Sequence, residues 1–251
     1  VRTRTALCAL AIWVGAVLVV TGCAAPSHER LTHQQPTRPE AVAPTPAAMT
    51  VGGPARVFDR TQHSTTDPAS IWVVVNKKHP LPSDYRPAIS LVRGYQVATP
   101  AAGELTRLLD ASDDADLGFK IASAFRSYDY QAGVYANVVT SSGQEAADQV
   151  SARPGHSEHQ TGLAADLVTP ANPACDFEAC FARTPGGRWL AQHAWEYGFI
   201  LRYQPGSTAV TGYSPEPWHL RFVGRALAAE LRRTHVATLE EFFHISGGDY
   251  P

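Results

Sequence analysis

Hydrophobic positions recur along this chain with two spacings, and each predicts a different kind of element. Continuous or alternating apolar runs predict strands at Ile71–Val75, Phe119–Phe125, Leu163–Val168, Phe199–Leu201 and Glu216–Val223. In the last run Trp218, Leu220 and Phe222 share one face, and His219 and Arg221 share the other. Helical spacing predicts helices over Glu104–Ala111, through Leu105, Leu108 and Leu109, and over Tyr128–Val139, Gly143–Val150, Arg188–Tyr197 and Gly224–Thr234. Thr238 and Glu241 form a T-x-x-E capping box that predicts one more helix start. Asn76–Pro87 is turn-rich, and the acidic cluster Asp113, Asp114 and Asp116 reads as a solvated turn. Pro154, Gly155 and Gly162 interrupt the helix formers, so His156–Thr161 is expected to be a loop. Strands and helices mix without regular βαβ alternation. The fold class expected is α+β: a single domain with a mainly antiparallel sheet and helices packed against it.

One residue does not fit its element. Asp166 sits inside the apolar run Leu163–Val168, and a bare carboxylate in a buried strand is costly unless it is paired or binds a metal. His159, in the loop before it, and His219, on the polar face of the last strand, complete an N, O, N donor set. Three protein ligands leave a fourth tetrahedral position for water, the arrangement of a catalytic zinc site. Glu216, three residues before His219, is then placed to take a proton from that water.

The motifs S-x-H-x-x-G-x-A-x-D at Ser157–Asp166 and E-P-W-H at Glu216–His219 resemble those of the VanY-type zinc D-alanyl-D-alanine carboxypeptidases, enzymes of the bacterial cell wall. The likeness extends to Asn76-Lys77, Leu81-Pro82, Tyr85-Arg86-Pro87, Ser123–Tyr128 with Gln131, and Trp189-Leu190-Ala191 with Tyr197-Gly198-Phe199, covering roughly residues 70 to 225. The resemblance implies a Hedgehog/D-Ala-D-Ala-peptidase-like fold with Zn(2+) held by His159, Asp166 and His219. It further implies that Glu216 acts as general base, that Arg126 stabilises the oxyanion, and that Ser157 and Gln131 contact substrate. His156 falls outside the ligand pattern and is expected to hydrogen-bond within its loop. The activity implied is removal of a C-terminal D-alanine from peptidoglycan stem peptides, D,D-specific by preference. The alternatives are L,D-specific cleavage of tetrapeptide stems, cleavage within the stem or crosslink, or a non-catalytic peptidoglycan-binding module. Serine penicillin-target enzymes need S-x-x-K, and none of Lys77, Lys78 and Lys120 lies three residues after a serine. Penicillins are therefore not expected to acylate this protein.

Composition narrows the setting. The chain has 251 residues, 44% hydrophobic, with a net charge of −2. That is enough for about one folded domain, and it gives no polyanion-binding surface, so no nucleic-acid partner is expected. Arg2 and Arg4 precede the apolar run Ala6–Val20, which ends Val20-Thr21-Gly22-Cys23. This reads as a secretory signal over residues 1–22. V-T-G-C resembles a bacterial lipobox, which implies lipidation of Cys23 and anchoring to the outer face of the cell membrane. Residues 23–68 are rich in Pro, Ala, Thr and Ser and are expected to be a disordered tether with an r.m.s. reach of roughly 35–40 Å. The carboxypeptidase domain is then expected over residues 69–251, as a monomer acting in the cell wall. With Cys8 assigned to the signal and Cys23 to the lipid, Cys175 and Cys180 remain, and in an exported protein they are expected to form a disulfide.

Overall fold

A computed structural model describes residues 57–251. The expected signal, Cys23 and the tether up to residue 56 lie outside the described residues. Packing begins before residue 69, where the tether was expected to end, because the Phe58 ring stacks on Trp72 with centroids 5.7 Å apart.

A hairpin opens the fold: β1 (Ile89–Val92) pairs antiparallel with β2 (Tyr95–Ala98). Arg93 and Gly94 both have positive φ, 48° and 90°, which is what a two-residue type I′ turn requires. The run of apolar positions in this segment was too weak to predict the hairpin. Helix α1 (Thr99–Asp114) follows directly, starts earlier than expected with Pro100 in its first turn, and absorbs Asp113 and Asp114 into its last turn. Next come β3 (Lys120–Ser123), α2 (Tyr128–Ser142) and α3 (Gln144–Val150), the two helices separated at Gly143.

Four strands form the main sheet. β4 (Ala164–Val168), β5 (Phe199–Tyr203) and β6 (Glu216–Phe222) join β3 in the order β3-β4-β6-β5, and every pairing is antiparallel. Side-chain alternation gives this sheet two unlike faces. Ile121, Ala165, Leu167, Phe199, Leu220 and Phe222 enter the main core with Leu105, Leu108 and Leu109 of α1. Asp166, His219 and Arg221 point to the opposite face, where polar groups have to be satisfied by one another. A second core packs Trp72 and Val74 against α6 (Arg225–Thr234) and α7 (Leu239–Phe243). Between the last strands lie α4 (Pro185–His193) and the short α5 (Thr208–Thr211).

Three expectations need correction. Ile71–Val75 is not a strand. Its side chains alternate between the two cores, but the carbonyls of Ile71 and Val73 accept from the Arg221 guanidinium at 3.2 and 2.8 Å, so a side-chain cation takes the place of a neighbouring strand. The expected loop His156–Thr161 contains a 3-10 turn, Glu158–Thr161, closed by Gly162 at φ 69°. A Cβ at Gly162 would stand 2.9 Å from the Ala98 nitrogen, so glycine there lets the site loop lie against β2. Finally, α4 starts at Pro185, before Arg188. Gly186 and Gly187 lie in its first turn, where a side chain at Gly187 would collide with the Phe181 carbonyl.

Candidate active site

His159, Asp166 and His219 reach one point from three elements. The 3-10 turn carries His159, β4 carries Asp166, and β6 pairs with β4 in a register that sets His219 directly opposite Asp166. One ligand atom from each lies within 4.8 Å of the others, and all three side chains are buried. The imidazole nitrogens are sorted by their outer contacts. His159 Nδ1 donates to the Ala124 carbonyl at 2.6 Å, which turns Nε2 inward to within 3.2 Å of Asp166 Oδ2. That Nε2 is buried without a hydrogen-bond partner. His219 Nε2 faces Glu158 Oε2 at 3.3 Å, and its Nδ1 lies 3.0 Å from Asp166 Oδ1. A buried orphan nitrogen, a second inward nitrogen and a carboxylate fit a divalent metal with imidazole and oxygen preference.

Glu216 joins the group because β6 is irregular. An ideal strand would send Glu216 and His219, three residues apart, to opposite faces. Between the pairs Leu201↔Leu220 and Tyr203↔Glu216, β5 advances two residues while β6 covers four. The resulting bulge returns Glu216 to the site, with Oε2 3.6 Å from His219 Nδ1. Burial, together with the nearby Asp166 and Glu158 carboxylates, raises Glu216 to about 7 against the pull of His219 and Arg126. Burial alone would raise Asp166 as well, but the two histidines outweigh it and hold that carboxyl well below the usual range. Burial opposes charge on His219, yet its contacts with Asp166 and Glu158 push it up to about 9 in the metal-free site.

Around this centre lies a cavity of about 320 Å³. Arg126 lines it from the end of β3, with its Nε–H buried and unpartnered. Ser157 also lines it, although its hydroxyl oxygen already accepts from the His159 backbone N–H at 3.3 Å. Gln131 is not on the wall. It is buried, and its Nε2 donates to the carbonyl of Ala152, which is. Gln131 thus supports the wall from behind through the carbonyl it holds. His156 Nδ1 pairs with the Asn76 carbonyl at 2.9 Å, a partner outside its own loop. Cys175 and Cys180 are joined as a disulfide, and Phe177 of that loop reaches the cavity.

Sequence reasoning missed the support beneath the site. Glu158 is fully buried; its Oε1 accepts from Arg202 Nε and from Arg221 Nη1, both at 2.8 Å. Arg202 also donates to Glu240 at 2.6 Å, and Asn76 Nδ2 donates to the same oxygen at 3.0 Å. The available signal was Glu158 itself, an acidic residue enclosed by a segment whose neighbours were assigned to a buried site.

Comparison with known proteins follows the same line. The family model described as VanY, D-alanyl-D-alanine carboxypeptidase, matches residues 94–225. The chain belongs to this family. A relative described as the putative carboxypeptidase YodJ of Bacillus subtilis (strain 168) is 35% identical over 188 residues, covering 70% of this chain and 68% of its own. The L,D-carboxypeptidase DacB of Streptococcus pneumoniae is 41% identical with a TM-score of 0.58, covering 71% of this chain and 89% of its own. A vancomycin-resistance D,D-pentapeptidase VanY solved in complex with Zn(II) is 29% identical with a TM-score of 0.59, covering 68% and 97%.

Proposed function

We infer that the chain is a zinc-dependent carboxypeptidase that releases a C-terminal D-alanine from peptidoglycan stem peptides. The observation that carries this reading is the convergence of Glu216 on His159, Asp166 and His219 within a cavity that also contains Arg126. His159 Nε2, Asp166 and His219 Nδ1 would hold Zn(2+), which supplies a Lewis acid for the scissile carbonyl and acidifies a water. Glu216 takes the proton of the attacking water and passes it to the leaving amine. Burial and the neighbouring carboxylates make Glu216 a stronger base than an ordinary carboxylate. Arg126 directs its unpartnered N–H toward the oxygen that gains charge. Ser157 borders the same cavity and would contact the substrate's polar backbone.

D,D-specificity was the preferred reading of the motifs. The higher identity to an L,D-carboxypeptidase supports L,D cleavage of tetrapeptides as the second reading. The test is incubation of the zinc-loaded protein with stem pentapeptide and, separately, tetrapeptide, following D-alanine by mass spectrometry beside Glu216→Ala. Release from pentapeptide alone supports the D,D reading, and release from tetrapeptide alone the L,D reading. No release by fully metallated protein removes the carboxypeptidase reading.

Export and lipid anchoring through Cys23 rest on the N-terminal sequence pattern, and a monomer is the expected state. Loss of membrane association in Cys23→Ser, and the molar mass of the soluble domain by light scattering, test the two.

A further inference from the structure

The disulfide loop offers an aromatic side chain to the cavity in a conformation that is costly to maintain. Phe177 has φ 58°, a left-handed value that a bulky residue rarely adopts. The residue is 49% exposed, although the loop is fixed at several points. Cys175 packs against the main core and Phe181, just past the loop, is buried in it. The Cys175–Cys180 bond closes the ring, and Asp176 Oδ1 accepts from the Thr169 N–H at 3.3 Å, tying the loop to the end of β4. The Phe177 ring stands edge-on to Trp218, centroids 5.8 Å apart. Both rings line the cavity that holds Glu216 and His219, and Trp218 is the chain neighbour of His219.

Glycine or asparagine would meet the backbone requirement at position 177 at lower cost. An anchored loop with an exposed ring at a cavity edge gains nothing for the core from that ring. The ring loses its water when a ligand covers it, and it presents a rigid apolar face with little side-chain entropy to lose. We propose that Phe177, held by the disulfide and backed by Trp218, is a specificity-determining residue: the pair forms an aromatic wall against the aliphatic part of the stem peptide beside the scissile bond. This rests on the carboxypeptidase reading above.

The experiment compares wild type, Phe177→Ala, Phe177→Leu and the double variant Cys175→Ser/Cys180→Ser on whichever stem peptide the wild type cleaves. Peptide affinity is measured by calorimetry in a Glu216→Ala background, and zinc affinity by chelator competition. Phe177→Ala is expected to raise KM about tenfold with a much smaller change in kcat, and to weaken peptide binding equally. Phe177→Leu retains part of the loss, the double variant reproduces it, and zinc affinity is unchanged. Unchanged KM and peptide affinity in Phe177→Ala, or a loss confined to kcat or zinc affinity, overturns the proposal. Wild-type constants in the double serine variant overturn the role of the disulfide. A wild type that neither binds nor cleaves either peptide overturns the carboxypeptidase reading and this inference with it, an outcome distinct from normal cleavage with an indifferent Phe177.

Discussion

Glu158 Oε2 lies 3.3 Å from His219 Nε2, and this contact decides which nitrogen of His219 faces Asp166 and the metal site. The other carboxylate oxygen is fixed by Arg202 and Arg221, so Glu158 cannot turn away. Burial would raise its pKa, but the two guanidinium groups and His219 hold it far below the ordinary range, and it remains an acceptor. Glu158→Gln keeps the shape and offers a weaker acceptor. It is expected to lower zinc affinity about 10- to 100-fold, the usual effect of removing an outer partner of a ligand histidine. Glu158→Ala additionally leaves the buried Arg221 without its carboxylate and Arg202 with Glu240 alone, and is expected to cost about 3–5 kcal/mol of stability. Chelator competition and urea unfolding measure the two effects separately.

Glu216 and His219 should each make the metal-free protein less stable as pH rises from about 4.5 to about 9, whereas His159 and His156, held by burial below their ordinary 6.5, act in the opposite direction around that pH. Glu216 titrates near 7 in the fold and at an ordinary 4.5 when unfolded, so the folded state binds the proton more tightly. Its favourable contribution is present below 4.5 and is lost as pH rises through about 7. The separation corresponds to roughly 3 kcal/mol. His219 acts in the same direction: raised from 6.5 to about 9, it stabilises fully below 6.5 and loses that contribution as pH passes 9. Zinc displaces the proton on His219, so binding near pH 7.5 should release about one proton from this residue. Thermal melts of the chelated protein from pH 5 to 9 check the slope, and Glu216→Gln should flatten its lower half. Activity should run the other way on its acid limb, declining as Glu216 is protonated.

What the sequence disclosed and what it hid have physical reasons. Asp166 was legible because a carboxylate in an apolar run conflicts with its element, and the 2-residue period of β6 separated His219 and Arg221 from the core. The same period gave no sign of the bulge that returns Glu216 to the side of His219, because a bulge is set by the partner strand's register. Glu158 and Arg202 meet across 44 positions of chain, so neither could be paired from local spacing. The β1–β2 hairpin was hidden by Arg93, which takes the left-handed position where Asn or Gly would have announced a turn. The earlier start of α4 at Pro185 was hidden because close packing on Phe181 and Phe119, invisible in sequence, is what requires Gly186 and Gly187 there.

Gln131 provides a test of structural against substrate-contacting roles. Its Nε2 bond to the Ala152 carbonyl joins α2 to the segment after α3 that forms part of the cavity wall. Gln131→Leu removes that donor and leaves the Ala152 carbonyl unsatisfied, which should cost about 1–3 kcal/mol of stability. Urea unfolding is expected to show this loss, with KM for the stem peptide changed less than threefold. A large KM effect without loss of stability would restore the substrate contact implied by the resemblance.

Arg126 is expected to act on the transition state alone. Its backbone N–H is fixed by the His159 carbonyl at 3.1 Å, which ties its position to that of a metal ligand. Its side chain reaches the cavity with a buried Nε–H that no protein group accepts, an arrangement that costs stability unless a ligand oxygen completes it. Asp166 and Glu216 support its charge against the burial that would lower its pKa. A donor used only when charge develops on the scissile oxygen contributes to kcat and little to ground-state binding. Arg126→Lys retains the charge but loses the planar set of N–H donors. It should lower kcat by about 10²–10³ with zinc affinity unchanged. Arg126→Ala should lower kcat at least as far and, by relieving the unpaired N–H, should leave the fold as stable or more so. Steady-state kinetics, chelator competition and urea unfolding on the same preparations separate these effects. A fall in zinc affinity parallel to kcat would instead assign Arg126 to the support of His159.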